Sequence, residues 1–122
     1  MNPVLLIQLF AEAPRQVSSL EMTMSNHFGT GFLGLDNFSD PFMVSYARQF
    51  MEENEKMTTI IWEHKGGILK GVQPLLHALL KRKGGIRLLS NSDHLPIRKL
   101  LQIHQGEYVD LEADLWALIT KG

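Results

Sequence analysis

The chain has 122 residues, 44% hydrophobic, 20% charged and 8% aromatic, with 12 basic against 13 acidic side chains and no cysteine. That is one domain of ordinary size over residues 1–122, and disulfide scaffolds, thiolate zinc sites and cysteine nucleophiles are excluded. The net charge of −1 gives no whole-molecule pull toward nucleic acid, and the N-terminal apolar run at residues 4–7 is far below the roughly 18 residues of a membrane span, so a cytoplasmic protein is expected.

Residues 1–14 fit either a helix opened by Asn2 and Pro3 or an added strand through the apolar run that follows Pro3. Residues 20–25 (LEMTMS) alternate with period two, turn glycines follow, and residues 31–38 (GFLGLDNF) are apolar, which predicts an N-terminal antiparallel hairpin. Asp40 and Pro41 then supply a cap and a first helical residue. Phe42, Met43, Tyr46, Ala47, Phe50 and Met51 recur at helical spacing, so they are expected to form its inward face. Residues 58–62 (TTIIW) are β-branched and aromatic without charge, as in a strand buried on both faces.

After a loop containing Gly66, Gly67 and Gly71, a helix is predicted from about Pro74 to Lys83, with Leu75, Leu76, Leu79 and Leu80 buried. Gly84 and Gly85 end it, and residues 86–89 (IRLL) form the next strand. Ser92 or Asp93 is positioned to cap a helix that carries Ile97, Leu100, Leu101 and Ile103 and stops at Gly106. Tyr108 and Val109 make a short strand, and Asp110 caps a last helix with Leu115, Trp116, Leu118 and Ile119 inward. Strands alternating with helices imply a sheet covered by helices through right-handed crossovers.

Charge is laid out in blocks: −5 over residues 1–63, +7 over residues 64–105 and −3 over residues 106–122. The basic block can attract an anionic partner, lipid or nucleotide, while Lys81, Arg82 and Lys83 also suit the negative end of a helix. No phosphate-binding loop is present: residues 66–71 (GGILKG) have glycines and a lysine but neither the spacing nor the hydroxyl. The five histidines lack metal-ligand spacing. His64 and His94 stand out because each follows a predicted strand, at the sheet edge where α/β proteins bind ligands. Glu63, His64, Asp93 and His94 would form an acid/base constellation if their loops met. A receiver-type phosphoacceptor is not supported, since the central strand ends in Trp62 and Glu63 and residues 107–111 contain no lysine.

The order hairpin, helix, strand, glycine loop, helix, strand, helix, short strand, helix resembles the STAS domain, the family of anti-sigma factor antagonists, stressosome scaffolds and sulfate-transporter tails. The resemblance covers about residues 20–120 and is best over residues 81–111, KRKGGIRLLSNSDHLPIRKLLQIHQGEYVDL. Residues 36–40 are similar to the family's lead-in to its first helix, and residues 112–120 to its last helix. It implies an α/β fold with a mixed sheet, and recognition of a regulatory protein or of a second copy through the loop after the central strand. The residues so implicated are His64, Lys65, Gly67, Leu69, Lys70 and Gly71. The family's loop hydroxyl, which accepts phosphate, has no counterpart, because no Ser or Thr occurs from residue 60 to residue 89. The expectation is a non-enzymatic binding module with no catalytic residue, metal or cofactor. The alternative is a small enzyme or ligand-binding protein using Glu63, His64, Asp93 and His94.

Overall fold

Six residues reading VLLIQL, apolar at five positions and without alternation, need cover on both faces. In the computed structural model they form β1 (Val4–Leu9), buried throughout. Residues 3–14, 16–17, 19–109 and 117 are described by the structure. Of the two readings of this region, the strand is the one formed, over residues 4–9, and it has neighbours on both sides: β2 (Phe32–Asp36) and β3 (Met57–Glu63). β4 (Ile86–Ser90) follows β3, and the two-residue β5 (Glu107–Tyr108) lies at the far edge, giving the order β2-β1-β3-β4-β5. Every pairing among the described strands is parallel.

The predicted hairpin is therefore corrected. Residues 20–25 lie inside a helix, α1 (Ser19–Phe28), which carries the chain from β1 to a parallel β2 with Val4 opposite Phe32. The period-two pattern yields to a helical one because Leu20, Met24 and Phe28, spaced by four, pack as one face on Val4 and Leu6. The mixed sheet implied by the STAS resemblance is likewise replaced by a parallel one, within a fold that is α/β as expected.

The remaining helices cover the opposite face. They are α2 (Pro41–Glu53), α3 (Gln73–Lys81) and α4 (Leu95–Ile103). Their buried residues Val44, Ala47, Met51, Leu75, Leu79, Ile97 and Leu100 join Leu5, Ile7, Ile61 and Leu88 of the sheet in the larger of two cores. The Asp40 cap of α2 forms as expected, its carboxylate accepting from the Met43 amide at 2.9 Å. Three expected core positions of α2 and α4 are surface instead: Phe42 is 85% exposed, and Tyr46 and Ile103 also face solvent, because they lie outside the arcs of these helices turned to the sheet. The helix predicted after Asp110 lies outside the described residues. No described helix is long and apolar enough to cross a membrane.

Candidate functional site

In a parallel sheet of this order the direction in which strands are added reverses between β1 and β3, and the carboxyl ends at such a switch point are where α/β proteins bind ligands. Two asparagines fasten that edge. Asn37, after β2, accepts from the Phe10 amide and donates to the Phe10 carbonyl, both at 2.8 Å. Asn91, after β4, accepts from the Glu63 amide at 2.7 Å and donates to the Glu63 carbonyl at 2.9 Å. Each carboxamide replaces a backbone partner just where the strand ladder stops, so the edge stays ordered without longer strands.

The predicted constellation is brought together only in part. His94 Nε2 lies 3.0 Å from Glu63 Oε1 and 3.0 Å from the Gly67 carbonyl oxygen. Both partners are acceptors, so that nitrogen carries the proton. Ser92 donates to the same carboxylate oxygen at 2.9 Å and accepts from the His94 amide at 3.2 Å. His64 turns the other way. Its ring stacks between Phe10 and Trp62, with centroids 4.3 and 4.7 Å away, and Nε2 donates to the buried Gln8 side chain at 3.0 Å. Asp93 is exposed and lines a different cavity with Arg98 and Tyr108. Neither Ser92 nor Asp93 caps α4 through its side chain, whose N-cap position is His94.

Chemically, Glu63, Ser92 and His94 bind the end of β3 to the start of α4 and hold the intervening loop through Gly67. Ser92 is fully buried and its proton is directed at Glu63, so its hydroxyl is not placed to attack a substrate. The side chains of His94 and Glu63 are 34% and 27% exposed. Among the described residues no group of three His, Asp or Glu side chains could hold a metal ion.

The loop over residues 64–72 divides into a packed and an open part. Gly67 is buried, and a Cβ there would stand 2.5 Å from the Leu9 carbonyl oxygen, so the position serves close packing of the loop on the end of β1. Gly71 has a φ of +92°, and a Cβ would collide with the Asn37 carbonyl oxygen, so its role is also close packing. Leu69 is partly buried against the larger core. Lys65, Ile68 and Lys70 face solvent.

Beside that loop lies a cleft of about 450 Å³ between α3 and α4. Leu76 and Leu80 of α3 and Leu95, Lys99 and Leu100 of α4 line it, together with Leu69 of the loop. Leu80 is 47% and Leu95 64% exposed. The expectation that Leu80 is buried fails because the space between the helices at its level is open. His104 Nε2 donates to the Leu79 carbonyl at 2.7 Å and holds the two helices at this spacing. Leu76 is buried as expected and forms the cleft floor, while Leu95 and Lys99 had no place among the expected site residues; the crowding of lysine and leucine in residues 69–100 was the signal that pointed to them. Gln8, Phe10, Asn37 and Asn91 were missed because their partners are remote in the chain. No protein family, curated protein or solved structure matches this chain.

Proposed function

We propose that the protein is a non-enzymatic recognition module that docks a helical segment of a partner protein in the cleft between α3 and α4, with the loop after β3 as one wall. The supporting observation is the gathering of half-exposed leucines, Leu80 and Leu95, around an apolar floor made by Leu76 and Leu100. Aliphatic side chains concentrated in one concave place mark interaction sites more often than isolated exposed ones do. Taking a fully exposed leucine to full burial contributes about 1.5–3 kcal/mol, and Leu80 and Leu95, already partly covered, would each gain about half of that on docking. The STAS resemblance over residues 81–111 agrees with this kind of function, and we retain it as a proposal about protein recognition.

The test compares wild type with Leu95→Glu, a surface change on α4, in affinity capture from the native host followed by titration of the recovered partner. Loss of binding with an unchanged circular dichroism spectrum is expected. Lys70→Glu, next in the chain to the lining residue Leu69, is expected to weaken binding less. If wild type and Leu95→Glu hold the same partner equally tightly, the reading is wrong.

A second reading, a small-ligand or enzymatic site at Glu63 and His94, has one observation in its favour. Among the described residues, Nδ1 of His94 has no hydrogen-bond partner, and its ring is partly open to solvent. An NMR titration of His94 in wild type and Glu63→Gln tests it: a titration that does not move with the carboxylate argues against chemistry there.

A further inference from the structure

We infer that the occupant of the α3–α4 cleft is an acidic amphipathic α-helix; this rests on the docking reading above and adds the conformation and charge of the partner segment. Conformation follows from the cleft's surroundings. Its walls are two helices whose backbone groups are already paired within themselves, and the sheet edges, β2 and β5, lie elsewhere. An extended segment entering here would find no ladder to join and would leave its own amides unpaired against leucines. A helix brings its backbone hydrogen bonds with it. A volume of about 450 Å³ accepts a few side chains rather than a folded surface. Apolar residues at i and i+4 of a helix stand one above the other and can both enter such a cleft.

Charge follows from the rim. Lys99 lines the cleft, Lys81 follows the lining residue Leu80 at the end of α3, and Lys70 follows the lining residue Leu69 near the end of the loop, all three exposed. No carboxylate lines the cleft among the described residues. The one acidic residue of the +7 block, Asp93, lies on a separate cavity beside Arg98. Glutamates flanking two apolar anchors would face these lysines, whereas lysines there would meet like charge while leaving the apolar contacts intact.

The experiment uses the full chain and two fluorescent synthetic peptides of about 16 residues, a length at which designed helices begin to hold in water. Both carry leucines at i, i+4 and i+7; one is flanked by glutamates and the other by lysines. Anisotropy is expected to give binding of the acidic peptide at least roughly tenfold tighter than the basic one, weakening as NaCl rises from about 0.05 to about 0.5 M. Lys81→Glu with Lys99→Glu is expected to reverse the preference, and Leu80→Glu with Leu95→Glu to abolish binding. Polyglutamate, which has charge without anchors, is expected not to bind. Equal binding of both peptides, lost in the leucine variant, overturns the acidic partner and leaves the docking reading standing. Acidic-peptide binding that survives in the leucine variant, or no binding of either peptide, overturns both.

Discussion

Replacing Arg82 with alanine is expected to destabilise the fold although the residue lies beyond α3 and does not line the cleft. Its guanidinium reaches back to another helix. Nη1 donates to the Met51 carbonyl at 2.6 Å, Nη2 donates to the carbonyls of Asn54 and Glu55, and Nε donates to Gly84 at 3.3 Å. The last carbonyls of α2 and the turn into β3 have no helical partners of their own, and a cation is favoured at that end. Hydrogen bonds to a charged group contribute about 1.5–3 kcal/mol, and at this half-buried site, where water replaces part of the interaction, we take about 2. With an unfolding entropy of about 2.1 cal/mol/K per residue, a 122-residue chain loses about 8 °C in Tm for that change. Arg82→Lys keeps the charge but not the planar fork and should lose about half as much. Lys81→Ala and Lys83→Ala, at exposed neighbours, should stay within about 0.5 kcal/mol of wild type. Urea and thermal unfolding followed by circular dichroism measure all four. An Arg82→Ala variant as stable as Lys83→Ala would refute the reasoning.

Three further outcomes test the rest of the construction. Gly71→Ala combines a left-handed backbone with a collision at the Asn37 carbonyl, so a loss of about 2 kcal/mol or more is expected in urea unfolding; a neutral result would place that loop elsewhere. Asn37→Ala strands the backbone amide and carbonyl of Phe10 and should lose about 2 kcal/mol, with faster hydrogen exchange confined to the ends of β1 and β2. Burial, and then the neighbouring Asp36 carboxylate, raise the pKa of Glu21 above its ordinary 4.5. The folded state then holds that proton more tightly than the unfolded chain, so the stability it confers is complete below 4.5 and is lost as pH rises through the raised value. Glu21→Gln should therefore raise Tm relative to wild type more at pH about 7 than at pH about 4, and an equal change at both would refute this cause.

Elements with a strong local pattern were legible. The uncharged run at residues 58–62 became β3, and Asp40 with Pro41 opened α2. Residues 20–25 were misread because alternation over six residues also fits a helix face spaced by four, and only packing on Val4 and Leu6 chooses between them. The candidate site was half legible. Glu63 and His94 were identified and do meet, yet Asp93 points away and His64 is taken up by Gln8, Phe10 and Trp62. Arg82 looked like a cation for the end of its own helix, because nothing nearby in the chain announces carbonyls 27 to 31 residues earlier.

By itself the sequence determined the one-dimensional features: which runs must be buried, where a proline can open a helix, the block of positive charge, and the absence of a hydroxyl between residues 60 and 89. These depend on side-chain chemistry and on contacts within a few residues. Tertiary structure decided that β1 lies between β2 and β3, that all described pairings are parallel, and that a cleft stays open between α3 and α4. Those choices turn on how whole faces fit against one another across long stretches of chain, and the free energy that selects among them exists only once the sheet and its helices are packed together.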